Sequence, residues 1–179
     1  MIRPMDLSSS AVLRWQFDLV WALFEFHLER LTEAEVRWEP ADLCWTLRTG
    51  ADGSWVPDWA DVEPDPIPVP TIAWLSWHIG WWWSVTMDHL AGRVPRERHE
   101  IEWPGDHAVV AWLRDLRAEW SRVLDRISDA DLVAPATFPW SGEDSKSVAH
   151  TVAWVNAELM KNAAEIGQLR LLHAARNGQ

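Results

Sequence analysis

Four long stretches of this sequence carry apolar residues at the spacing of an amphipathic α-helix, and no stretch alternates convincingly as a strand would. The first stretch follows Ser8, Ser9 and Ser10, residues that favour the N-cap of a helix. Its apolar stripe comprises Leu13, Phe17, Val20, Phe24, Leu28 and Leu31. The four patterns predict an all-α fold, a four-helix bundle that forms one domain over residues 1–179.

Start and stop residues bound the other three predicted helices. The second runs from Pro70 and Thr71 to Gly92, which can adopt the left-handed conformation that follows a helix end. The third covers residues 107–127, and the fourth runs from about residue 145 to residue 175.

The connection between the first two helices, residues 40–70, is rich in proline and tryptophan. Its six prolines exclude a long regular helix. Trp45, Trp55 and Trp59 make it too aromatic for a disordered linker. Because a loop of this length in a compact domain usually covers something, we predict an ordered lid.

Charge and cysteine content exclude several classes of function. The formal net charge is −11 and no Lys/Arg cluster offsets it, so nucleic acid and anionic membranes are poor partners. Cys44 is the single cysteine, which excludes an internal disulfide and a cysteine zinc cluster. The first ten residues lack the apolar core of a signal peptide, and the most apolar run is too short for a membrane span. We therefore expect a soluble cytoplasmic protein.

The aromatic composition is unusual, with 16 tryptophans and no tyrosine. Many indoles can line a wide apolar cavity that offers few polar atoms. They can equally form a bulky core. Both interpretations stay open at this point.

Four polar residues interrupt the predicted fourth helix. A helical wheel places Glu158, Asn162 and Glu165 at the edge of its core-facing arc, with i, i+4, i+7 spacing. Lys161 lies further out and can pair with either carboxylate. The four residues form either an exposed salt-bridge ladder or an inward-facing polar site.

The predicted second helix carries one imidazole among indoles. Its inward stripe comprises Trp74, His78, Trp82, Val85 and His89. His78 is either an ordinary core histidine or, if it faces Glu158 and Glu165, part of a set typical of a divalent metal. Without a metal, a His–Glu pair could perform acid–base chemistry. No HxxxH or HExxH motif is present.

Three segments resemble the DinB-like (DinB/YfiT) superfamily, in its actinobacterial branch, over about residues 9–175. They are TIAWLSWHIGWWW, WVNAELMKNAAEIGQLRLL, and the long connection that contains Trp45 and Thr46. The resemblance implies an up-down-down-up bundle with a long ordered loop between its first two helices. It also implies a divalent metal, zinc or nickel, held by three histidines between the second and fourth helices. Some members transfer groups to thiols of the mycothiol type, and the family often forms homodimers.

The residues at the family's ligand positions differ from that pattern. His78 matches the first ligand, whereas Lys161 and Glu165 stand where the family has histidines. An ammonium is a poor metal ligand. The resemblance therefore implies either a weaker metal site of His78, Glu158 and Glu165, or a metal-free pocket in which the ammonium satisfies both carboxylates. In either case the pocket is expected to involve Trp74, Trp82, Lys161 and Asn162.

Three functions follow from these alternatives. The first is a metal-dependent thiol S-transferase, or a degenerate relative of one. The second is a metal-free protein that binds a small molecule. The third is an interaction bundle whose tryptophans lie at a homodimer interface. The expected partners are a small-molecule substrate or a thiol, and a second copy of the chain.

Overall fold

The structure is a computed structural model that describes residues 8–140 and 146–178, and it is mostly helical within them. The helices are α1 (Ser9–Leu28), α2 (Glu33–Val36), α3 (Ile72–Leu90), α4 (Val109–Leu124), α5 (Asp129–Leu132) and α6 (Val148–Arg176). A single 3₁₀ turn spans Arg98–Glu100. The strands are β1 (Cys44–Trp45), β2 (Leu47–Thr49), β3 (Trp55–Pro57) and β4 (Val69–Pro70). The expected helical fold is confirmed, with α1, α3, α4 and α6 as the four long helices.

Local hydrogen bonds explain where α1 and α3 begin and end. The Ser8 hydroxyl accepts a hydrogen bond from the Ala11 amide at 3.3 Å, and the Thr71 hydroxyl accepts one from the Trp74 amide at 3.2 Å. Both are N-cap bonds that satisfy an amide without a helical partner. Gly92 follows α3 with a φ of 65°, which favours glycine. The predicted ends of α3 are confirmed to within two residues, whereas α1 ends at Leu28, three residues before the last residue of its predicted stripe, Leu31.

The other two long helices start later than predicted. α4 covers Val109–Leu124 rather than residues 107–127, and the chain continues into α5. Ser128 caps α5, since its hydroxyl accepts a hydrogen bond from the Asp131 amide at 3.3 Å and its own amide donates to the Asp131 carboxylate at 2.8 Å. α6 begins at Val148, while Ser145, the predicted start, lies outside the described residues.

The four long helices enclose one apolar core. α1 packs against α6 and α4, and α3 packs against the same two helices. Trp77, Trp83 and Trp120 are fully buried in this core. Burying an apolar side chain of this size contributes roughly 2–3 kcal/mol or more to stability. None of the described helices is long and apolar enough to cross a lipid bilayer.

Contacts between helix ends define the relative directions of neighbouring helices. Arg14, near the start of α1, pairs with Asp125, just after the end of α4, at 2.6 Å, so these helices run in opposite directions. The Asn156 amide, in the first half of α6, donates to the Leu13 carbonyl at 3.0 Å. Arg170, near the end of α6, donates to a backbone carbonyl just after α1. α1 and α6 therefore run in the same direction.

The connection over residues 40–70 contains two small sheets and no long helix, as its prolines predict. β1 pairs in parallel with β4, and β2 pairs antiparallel with β3. Trp45 stacks on Trp74 of α3 with ring centroids 4.9 Å apart. The Trp74 indole also donates to the Asp58 carbonyl at 2.8 Å. These contacts hold the connection against α3 and agree with an ordered segment.

Candidate functional site

His78 lies on α3 among tryptophan rings, as its sequence position predicts. Its ring stacks on Trp74 with centroids 4.9 Å apart, and the Trp81 ring centroid is 5.9 Å away. The buried Nδ1 atom of His78 has no hydrogen-bond partner within residues 8–140 and 146–178. Burial, and then the nearby Lys161 ammonium, lower the pKa of His78 from 6.5 to about 4. His78 is therefore neutral at neutral pH.

The polar residues of α6 lie at the edge of the core, as the helical wheel predicts. Asn162 is buried, Glu158 and Glu165 are half-buried, and Lys161 is exposed. The Lys161 ammonium donates to Glu158 Oε1 at 3.1 Å. The Asn162 amide accepts from the Trp82 indole at 3.2 Å and donates to Glu165 Oε2 at 2.9 Å. This face of α6 thus carries one ion pair and one buried hydrogen-bond network, and the network joins α6 to α3.

These residues do not fit a metal centre built from three histidines. In the part of the chain that the structure describes, no group of three or more His, Cys, Asp or Glu side chains could hold a metal ion. The predicted set of His78, Glu158 and Glu165 is therefore not brought together as ligands there. Glu158 binds the Lys161 ammonium instead, and that positive charge beside His78 opposes a bound cation. The donor chemistry favours a site without a metal.

The tryptophans around His78 are closely packed. Trp74 and Trp82, both predicted to line a pocket, are 6% and 4% exposed. Trp59 contacts the buried Trp77 and continues the cluster outward, and the Arg98 guanidinium lies 4.1 Å from the centre of the Trp59 ring. A cavity of about 270 Å³ opens there, lined by Val56, Pro57, Trp59, Trp77, Glu97, Arg98 and His99. Free space is thus present at the outer edge of the cluster.

Asn156 and Asp88 are among the buried polar residues that were not predicted from the sequence. Asn156 is fully buried, and its amide donates to the Leu13 carbonyl and to Gln16 Oε1. It lies four residues after the buried Val152, and this spacing places both on one face of the helix, so the sequence contained a signal for it. Asp88 is 3% exposed.

Asp88 binds two arginines in the connection that follows α3. Arg93 donates to its Oδ1 at 2.9 Å, and Arg96 donates to its Oδ2 at 2.8 Å. Burial would raise the pKa of Asp88, but the hydrogen bonds from Arg96 and Arg93 outweigh it and lower that pKa below its ordinary value. This ion cluster anchors the connection, since a buried carboxylate needs such partners.

The single cysteine shows no sign of activation. The Cys44 thiol donates to the Ala41 carbonyl at 2.9 Å. Burial is the main cause that raises the pKa of this thiol above its ordinary value. A nucleophilic cysteine needs a lowered pKa, so Cys44 is not a candidate catalytic residue.

Comparisons with known proteins agree with this fold. No curated protein matches the chain significantly. A crystal structure described as the conserved protein of locus from Enterococcus faecalis is similar in fold, with a TM-score of 0.60 and 14% sequence identity. That similarity covers 94% of this chain and 98% of the other. The family model described as the DinB superfamily matches residues 16–166, so this chain belongs to the DinB superfamily.

Proposed function

We propose that this protein binds a small molecule without a metal ion, at the polar edge shared by α3 and α6. The observation that carries the proposal is the buried Nδ1 atom of His78, which has no hydrogen-bond partner among the described residues. A buried polar atom without a partner costs roughly 1–3 kcal/mol. A ligand group that pairs with the imidazole would recover that cost. The unpaired Nδ1 atom thus favours the binding of a ligand at His78.

The charges favour a ligand with an acidic or thiol head group and an apolar body. Lys161 is half exposed and donates to Glu158, while an ammonium has three donors in all. Its remaining donors can hold a carboxylate or thiolate close to the neutral His78 imidazole. The rings of Trp74 and Trp81 beside His78 can contact the apolar body.

The site depends on how the helices are arranged. We infer the up-down-down-up order, which is supported by the opposite directions of α1 and α4 and the shared direction of α1 and α6. In that order α3 and α6 are antiparallel neighbours. The hydrogen bond from Trp82 to Asn162 is a direct link between them. We further propose a cytoplasmic location, where a lone free thiol stays reduced.

A metal-dependent thiol S-transferase is the second candidate. It is favoured by the place of His78 on α3, at the position that matches the family's first ligand. The metal version requires Glu158 to release Lys161 and Glu165 to release Asn162, so that both carboxylates can approach His78. Because both releases cost hydrogen bonds, we prefer the metal-free site.

Ligand titration with fluorescence and calorimetry tests the proposal. The probes are a series of apolar carboxylic acids and thiols added to wild-type protein and to three variants. We expect at least one probe to bind wild type, and His78→Phe and Lys161→Met to weaken that binding at least tenfold. The His89→Phe variant should bind as wild type does, because His89, contrary to its predicted place on the inward stripe, is exposed. If no probe binds wild type, the proposal fails.

Metal analysis separates the two candidates. Protein purified without chelators should contain no stoichiometric zinc or nickel, and its metal content should equal that of His78→Ala. One metal ion per chain in wild type, lost in His78→Ala, would overturn the metal-free site and support the transferase.

A further inference from the structure

A second cavity lies at the end of the bundle where α3 and α4 end and α6 begins. Its volume is about 390 Å³, within the range of roughly 300–1,000 Å³ that small-molecule pockets occupy. Apolar side chains of α3, of α4 and the turn after it, and of α6 form most of its lining: Met87, Leu90, Val123, Ile127 and Val148. Met87 lies nine residues after His78, roughly 14 Å further along α3. This space, called the bundle-end cavity below, is therefore separate from the ligand site at His78.

The apolar lining of the bundle-end cavity is incompletely covered. Leu90, Val123, Ile127 and Val148 pack against the core but are only partly buried, whereas Met87 beside them is 1% exposed. Apolar side chains that face open space lose packing contacts and remain in contact with water. An apolar molecule inside the cavity would supply those contacts and exclude the water.

Hydrogen bonds fix the segment between α4 and α6, which contributes Ala134 and Asp131 to the lining of the cavity. The Val148 amide, at the start of α6, donates to the Ala134 carbonyl at 2.9 Å. The amide and the hydroxyl of Ser128 both donate to Asp131 Oδ2, at 2.8 Å and 2.6 Å. The wall is thus held in place before any ligand binds, which lowers the entropy cost of binding.

The bundle-end cavity has two charged lining residues, Arg126 and Asp131. Arg126 is exposed, and its guanidinium makes no hydrogen bond or ion pair with any group that the structure describes. The Asp131 carboxylate already accepts from the hydroxyl and the amide of Ser128, and these bonds lower the pKa of its carboxyl and keep it ionised. The charge without a partner is therefore positive. A guanidinium presents its donors as a planar fork that matches a carboxylate.

We propose that the bundle-end cavity binds an amphipathic carboxylate, with the apolar chain inside the cavity and the carboxylate paired with Arg126 at its rim. The chain covers the partly buried side chains of α3, α4 and α6, and the carboxylate gives the guanidinium a partner. The cavity uses neither His78 nor Lys161. The proposal is therefore independent of the ligand site at the edge shared by α3 and α6.

NMR of wild-type protein with labelled methyl groups locates the site, with octanoate as the probe. Octanoate should shift the methyl signals of Leu90, Val123, Ile127 and Val148. The signals of Val62, a residue of the first connection that is 83% exposed, should not move. Shifts at the cavity without shifts near His78 would support this proposal and not the proposed function. Shifts confined to the surroundings of His78, or no shifts at all, would overturn this proposal.

Chain length tests the apolar part of the proposal, by calorimetry in the His78→Phe protein. Burial of each CH₂ group strengthens binding about fourfold, so octanoate should bind roughly 10- to 20-fold more tightly than hexanoate. Ala134→Leu adds bulk to the cavity wall and should weaken octanoate binding at least tenfold. Ala130→Leu, at an exposed residue of α5 outside the lining, should not. Equal affinities for hexanoate and octanoate would contradict a chain bound inside the cavity.

Charge variants test the head group in the same assay. Arg126→Met should weaken octanoate binding roughly threefold to fivefold, the usual effect of an exposed ion pair. Arg122→Met, which removes an exposed cation four residues earlier, should leave the affinity unchanged. Asp131→Asn removes a like charge from the rim and should strengthen the binding. Octylammonium should bind more weakly than octanoate. An Arg126→Met protein that binds octanoate as tightly as its parent, or tighter binding of octylammonium, would overturn the proposal.

Discussion

Trp74 lies flat against His78, with ring centroids 4.9 Å apart and ring planes 13° apart. Trp45 also stacks on Trp74, so the imidazole is one end of a column of rings that begins in the connection before α3. The column removes water from His78, and a desolvated imidazole is hard to protonate. The first two predictions concern this protonation.

Protonation of His78 should destabilise the fold. Its pKa is about 4 in the folded chain and 6.5 when unfolded, so the unfolded state binds more protons between these values. The free energy of unfolding should therefore fall as the pH drops from 6.5 to about 4, by at most about 3 kcal/mol from this group. Urea unfolding over this pH range measures the effect.

His78→Phe should lose this part of the pH dependence, while His89→Phe should keep it. If the free energies of unfolding of wild type and His78→Phe changed with pH in parallel, His78 would not be buried as described.

Lys161→Met should raise the pKa of His78. The ammonium opposes a second positive charge nearby, so its removal favours the imidazolium. The new pKa should remain below 6.5, because burial is the larger cause. An NMR titration of the imidazole protons measures it. Arg122→Met removes an exposed cation on α4 and should leave the pKa of His78 unchanged.

Asn162→Ala should destabilise the protein by roughly 1–3 kcal/mol. Asn162 is 1% exposed and joins the Trp82 indole to Glu165. Its removal leaves the indole N–H without an acceptor in the core. Urea unfolding measures the loss. Gln168→Ala, at an exposed residue of the same helix, should change stability by no more than about 0.5 kcal/mol.

Gly80→Ala should destabilise the protein by roughly 1–3 kcal/mol, because a methyl group at this position overlaps the Trp112 ring. The glycine lets α3 and α4 approach closely. Combining Gly80→Ala with Trp112→Leu should cost less than the sum of the two single changes, as thermal unfolding of all four proteins will show. Strict additivity would mean that the two residues do not touch.

The long helices were predictable because each buries one stripe, and burial at a period of 3.6 residues leaves a clear pattern. The four strands could not be predicted, because strands of two or three residues are too short to show an alternating pattern. Proline content still predicted correctly that residues 40–70 contain no long helix.

The sequence predicted where the polar residues of α6 lie, but not their partners. A wheel gives the angle of a residue about the helix axis, and that placed Asn162 and Glu165 at the edge of the core. Side-chain rotamers then decide which atoms meet. In this structure Lys161 donates to Glu158 and Asn162 donates to Glu165. A helical wheel cannot distinguish this pairing from a salt-bridge ladder centred on Lys161.

The column of Trp45, Trp74 and His78 also gives this protein an optical marker of its own. Closely stacked indoles in fixed geometry contribute strongly to near-ultraviolet circular dichroism, whereas helices dominate the far-ultraviolet signal. If the connection over residues 40–70 detaches from α3 before the helices melt, the first signal will fade while the second persists. The ring stack between these elements thus allows loop opening and helix unfolding to be followed separately in one sample without any label.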